Sequence, residues 1–108
     1  MVKYTNERMK KDLKSFMYKT RKHFNIKKAI LFGSRARGDY FLDSDVDLIL
    51  VSDDFKDFRF TDRIGNVIEF WEPSIDLEVI CYTPEEFDKK KNQIGIIKTA
   101  VEEGIEIK

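Results

Sequence analysis

Apolar residues recur at helical spacing from Asn6 to about Phe24. Met9, Leu13, Phe16, Met17 and Phe24 fall on one side, while lysines and Arg21 fill the other. This pattern predicts an amphipathic first helix. The period then changes. Ile26 to Phe32 is a short apolar run that stops at Gly33, as a buried strand does, and Gly33 to Asp43 is polar and glycine-punctuated, a loop with room for one helical turn. Asp45 to Val51 alternates at first and becomes wholly apolar through Leu48, Ile49, Leu50 and Val51. It predicts a central strand whose first residues stand at an open edge, with Asp45 and Asp47 sharing a face.

The stretch Asp53 to Trp71 is mixed, but Ile64, Val67, Ile68 and Trp71 keep helical spacing, so a helix is expected there. Ile75 to Tyr82 predicts a third strand, with Asp76, Glu78 and Ile80 on one face and Leu77, Val79 and Cys81 on the other. Thr83-Pro84-Glu85-Glu86 has the form of a capping box: a threonine cap, proline at the first helical position and a glutamate able to reach back. Ile94, Ile97 and Val101 mark a last helix ending near Gly104, and Ile105 to Ile107 forms a short edge strand. The alternation of strands and helices predicts an α/β layer architecture.

The length of 108 residues suits one domain spanning 1–108, with a modest core. An apolar share of 42% is too high for a disordered chain, and 37% charged residues gives a well-solvated surface. Twenty Lys plus Arg balance twenty Asp plus Glu, which argues against a generic nucleic-acid coat and leaves only a local basic patch open. The single cysteine, Cys81, excludes an intramolecular disulfide and any multi-cysteine zinc site. The first eleven residues carry no signal-type apolar run, and no stretch approaches the ~20 apolar residues of a membrane span. A cytoplasmic protein without a membrane partner is expected; homo-oligomerisation stays open.

The chemistry is concentrated in Gly33-Ser34-Arg35-Ala36-Arg37-Gly38 and, after a short polar loop, Ser44-Asp45-Val46-Asp47-Leu48. Gly33 lets backbone approach a phosphate closely, consecutive N–H groups and the Ser34 hydroxyl can cradle anionic oxygens, and Arg35 and Arg37 add positive charge. Two carboxylates at i and i+2 of a strand project side by side, a hard oxygen donor set of the kind Mg²⁺ prefers. Asp76 and Glu78, on one face of the third strand, are the candidates for a third carboxylate in a two-metal site, where it can also take a proton from an attacking hydroxyl.

These residues resemble the minimal nucleotidyltransferases of the DNA polymerase beta superfamily, whose signature is Gly-Ser, ten residues, then Asp-x-Asp. Here Gly33-Ser34 is followed by Arg35 to Ser44 and then Asp45-Val46-Asp47, and the segment Asp76 to Phe87 resembles the family's third strand and following helix. The resemblance covers about Lys27 to Phe87. It implies a small mixed sheet backed by helices, an α+β fold, with two Mg²⁺ ions on Asp45 and Asp47 and a nucleoside triphosphate, ATP first among them, held by Gly33 and Ser34. Where the family usually has an aspartate five residues before the Thr-Pro step this chain has Glu78, with Asp76 one pleat earlier; Glu78 is favoured by position and Asp76 stands as the alternative. The implied reaction is transfer of a nucleoside monophosphate, AMP for ATP, to an acceptor hydroxyl on a partner protein, with pyrophosphate leaving. The same resemblance implies an alternative: an antitoxin-type module that neutralises an all-helical HEPN toxin by binding it.

Other motifs fail on their own terms. Asp43, Asp45 and Asp47 begin like an EF-hand, but its glycine position is Leu48 and its last ligand position is Asp54. No Gly-Lys-Ser/Thr ends the glycine turn, as a Walker loop requires. His23 reads as a helix-end or surface residue, Cys81, Trp71 and the phenylalanines as core, and Lys89-Lys90-Lys91 as a solvated helix face.

Overall fold

The computed structural model describes residues 4–38 and 45–107. The second half of the expected glycine loop, residues 39–44, lies outside them. Strands β1 (Lys28–Phe32) and β2 (Val46–Val51) pair antiparallel, with Lys28 opposite Val51 and Phe32 opposite Asp47. β2 runs parallel to β3 (Leu77–Tyr82), with Asp47 opposite Glu78. A parallel pair needs a crossover, and a 3-10 turn over Asp53–Asp57 followed by α3 (Phe60–Ile68) provides it. β4 (Ile105–Glu106) pairs antiparallel with the free side of β1, giving a mixed sheet of order β3-β2-β1-β4.

Both faces of this sheet are covered, which is why β2 reads as an almost unbroken apolar run. Helix α1 (Asn6–Arg21) lays Met9, Leu13, Phe16 and Met17 on one face, over Leu31, Leu48, Leu50 and Val79. On the other face Ile30, Phe32, Ile49, Val51 and Tyr82 meet Phe87 of α4 (Pro84–Lys91) and Ile97 and Ala100 of α5 (Ile96–Glu103). Asp47 alternates with Ile49 and Val51 and so lies on this second face, near the start of its strand.

The capping box forms as its sequence predicts: the Glu86 N–H donates to the Thr83 hydroxyl at 3.2 Å, and the Thr83 N–H donates to the Glu86 carboxylate at 2.8 Å. Two expectations change in detail. The first helix ends at Arg21, and Phe24 enters the core from the turn beyond it, 5.3 Å from the Phe55 ring. The last helix starts at Ile96, because Gly95 sits at φ 151°, a break that leaves Ile94 outside the helix and 97% exposed; its inward residues are Ile97 and Ala100, while Val101 faces outward. Among the described residues, no helix is long and apolar enough to cross a membrane.

Candidate active site

Gly33 ends β1 and opens α2 (Ser34–Arg37), the single helical turn that the glycine-rich loop allows. Its carbonyl accepts from the N–H groups of Ala36 and Arg37, both at 3.1 Å, and it holds φ 75°, a left-handed value that favours glycine. There is also no room for a side chain. A Cβ on Gly33 would lie 2.3 Å from an Asp47 carboxylate oxygen. The antiparallel register explains this contact, since Phe32, the residue before Gly33, is the partner of Asp47. The turn and the carboxylate touch because strand pairing brings them together.

The parallel register does the same for the second acid. Asp47 stands opposite Glu78, and their carboxyls are close enough to share a hydrogen bond. Asp47 is half-buried, and its pKa is pushed up to about 7, first by desolvation, then by the hydrogen bond with Glu78 and by the negative charges of Glu78 and Asp45, with Arg37 opposing. Asp45 precedes β2 on the same face and is partly buried. Asp76 is exposed just before β3, and its backbone carbonyl accepts from the Val46 N–H at 2.9 Å. The structure therefore brings Gly33, Asp47 and Glu78 into one place, with Asp45 within electrostatic reach.

Of the two arginines, Arg37 lines, beside these acids, the cleft described below. It lies 3.9 Å from Glu103 of α5, whose side chain lines the same cleft. Arg35, expected beside the phosphates, is instead 2% exposed: its guanidinium donates to the Tyr4 carbonyl at 2.9 Å and the Asn6 side-chain oxygen at 3.3 Å, and it lies over the Tyr4 ring at 5.1 Å. It ties α2 to the start of α1. Ser34, half-buried, begins α2, and its carbonyl accepts from the Gly38 N–H at 2.9 Å.

The acids open onto a cleft of about 500 Å³. Its walls are largely apolar: Phe32 and Ile80 from the sheet, Ile64 from α3, and Ile96 and Ala100 from α5, with Thr99 among them. Sequence reasoning missed this wall. The spacing of Ile96, Thr99, Ala100 and Glu103 was its available signal, one helical face directed at the acidic end of the sheet. Ile64 shares its helical spacing with Val67, yet it is exposed to the cleft while Val67 is fully buried.

An oxygen-only donor set suits a hard divalent cation, and like charges crowded beside Gly33 are what such an ion would relieve. Asp47 and Glu78 fit that task directly. Among the described residues, no three His, Cys, Asp or Glu side chains form a ready-made ion cage.

The sequence profile of the nucleotidyltransferase domain family matches residues 8–107. A Methanocaldococcus jannaschii protein named "Putative protein adenylyltransferase" is 33% identical over 96 residues, 87% of this chain and 92% of that protein. The crystal structure of "a putative nucleotidyltransferase from Sulfolobus solfataricus" superposes with a TM-score of 0.64 at 31% identity, over 76% of this chain and 73% of the other. At that identity and TM-score the two chains share one fold over the superposed residues. The chain belongs to the nucleotidyltransferase domain family, and its motif spacing and fold fit the minimal nucleotidyltransferases of the DNA polymerase beta-like superfamily.

Proposed function

We propose that the protein transfers AMP from ATP to a hydroxyl of a partner protein. The observation that carries this reading is the placement of Asp47 against Gly33 on one side and Glu78 on the other, at the mouth of an apolar-walled cleft. Mg²⁺ on Asp45, Asp47 and Glu78 would supply charge neutralisation for the triphosphate. The chain's own groups do the rest. The Gly33-Ser34 turn offers backbone close approach to phosphate oxygens, Arg37 adds positive charge at the rim, and Ile64, Ile80 and Ile96 give the base an apolar wall. The acceptor oxygen bonds to the α-phosphorus as the bond to the bridging oxygen breaks and pyrophosphate leaves, while the hydroxyl proton passes to the Glu78 carboxylate and on to water. A name of protein adenylyltransferase on a relative that this chain covers almost end to end supports AMP and a protein acceptor.

The test is transfer of label from ATP labelled in its α-phosphate, with Mg²⁺ and a candidate partner; an all-helical HEPN protein is the first to try. Label should move to the partner, fall to background in Asp45→Asn, Asp47→Asn and in Glu78→Gln, and persist in Asp76→Asn. Labelling that survives the double aspartate variant overturns the reading.

A further inference from the structure

The outer side of α1 is strongly cationic. The helix carries six Lys and Arg against two acids, a net +4, in a chain whose charges balance to zero. Lys10, Lys14 and Arg21 are exposed and, among the described residues, have no carboxylate within ion-pair distance. They are not scattered. The three line a groove of about 250 Å³ whose apolar floor is Leu13, Met17 and Ile107.

This groove runs beside the open edge of the sheet. β4 is the last strand on that side, and Ile105 is 51% exposed. The Ile107 N–H donates to the Ala29 carbonyl at 2.8 Å, and Leu31 pairs with Ile105. In an antiparallel ladder the intervening residue turns its backbone groups the other way. The Glu106 N–H and C=O therefore face outward, away from β1, on a side where no further strand lies among the described residues.

We infer that this edge docks an extended, acidic segment of a partner protein, which adds a strand beside β4 and lays aliphatic and carboxylate side chains into the groove of α1. Each part answers one feature: the strand edge takes main-chain hydrogen bonds, the floor takes alternate apolar side chains, and Lys10, Lys14 and Arg21 take the acids. A second copy of the chain is a poor occupant. Two-fold pairing of β4 with β4 sets two cationic α1 helices side by side. A nucleic acid satisfies the charge but has no backbone amide ladder to pair with Glu106. The groove lies on the α1 face of the sheet, opposite the face that carries Asp47, so the inference does not depend on nucleotidyl transfer.

The probe is a short fluorescein-labelled peptide of alternating Glu and Val, followed by fluorescence anisotropy. It should bind, and more weakly as salt rises. The Lys10→Glu, Lys14→Glu, Arg21→Glu variant should bind at least about tenfold more weakly. Glu106→Pro, which removes an outward N–H and the 3.9 Å Lys28–Glu106 ion pair but none of the backbone hydrogen bonds to β1, should weaken it in the same direction, with circular dichroism confirming that both variants fold. No binding of this peptide, binding that survives the triple charge reversal, or tighter binding of a labelled single-stranded oligonucleotide overturns the inference. Dimerisation seen by sedimentation and blocked by Glu106→Pro overturns it in favour of a second copy.

Discussion

Gly33 is constrained twice, by its left-handed backbone and by the Asp47 oxygen that fills the space a methyl group would need. Gly33→Ala is therefore expected to do two separable things. Strain at positive φ costs stability, about 1–3 kcal/mol, read as a lower melting temperature. Displacement of the Asp47 carboxylate by an ångström or so should lower the transfer rate on the order of a hundredfold, read in the labelling assay at a temperature where the variant is folded. This pair was legible in the sequence, because glycine after one strand and aspartate early in the next is a local pattern that antiparallel pairing converts into contact. Which acid of β3 stands opposite Asp47 was favoured in the sequence by position, as Glu78, but its pairing depends on the register of a parallel pair formed across a long connection. The burial of Arg35 was hidden for a related reason: Tyr4 and Asn6, which it bonds, lie just before and at the start of α1, and nothing in a Gly-Ser-Arg motif reveals them.

At the scale of elements, the joint between α3 and α4 is an ionic knot. Arg63 of α3 is buried and donates to the Cys81 carbonyl at 3.2 Å, the Phe58 carbonyl at 3.3 Å and the Glu86 carboxylate at 2.6 Å, while Glu86 also closes the capping box. Burial alone raises the Glu86 pKa, but the hydrogen bonds from Arg63 and the Thr83 N–H outweigh it and hold the carboxyl below its usual range. A carboxyl lowered on folding stabilises the fold above its unfolded pKa and loses that contribution as the pH falls through the folded value. Unfolding free energy should accordingly drop on acidification below about pH 4.3, and Glu86→Gln should flatten that slope while lowering stability at neutral pH; an unchanged slope in denaturant titrations counts against the knot. The threonine cap and its glutamate were readable four residues at a time. Their attachment to Arg63 was not, because apolar spacing predicts the helix within 53–71 but does not reveal that its buried face includes a charged residue. The same helix sends Ile64 into the cleft, where apolar character serves a wall rather than a core.

Across the whole molecule, the cleft depends on how tightly α5 lies against the sheet. A Cβ on Gly104 would meet the Ala100 carbonyl oxygen at 2.3 Å, the Ile30 Cγ2 at 2.5 Å and the Leu31 carbonyl oxygen at 2.9 Å, two of them backbone atoms that cannot step aside. Gly104→Ala should push α5 off β1, costing about 1–3 kcal/mol and raising KM for ATP through displacement of Ile96, Thr99 and Ala100. Gly65→Ala is the control: nothing lies within 4 Å of its Cβ, and it sits inside α3, where alanine should raise stability by about 0.5–1 kcal/mol. The alternation of strands and helices announced this layered plan, and only the strand order, with β4 returning beside β1, had to come from three dimensions. The plan also sorts charge, since the cations gathered on α1 are offset by acids elsewhere on the molecule. A protein with a sequence pI near 6.6 would ordinarily flow through a sulfonate column at neutral pH; this one should be held back, touching the resin with a single side.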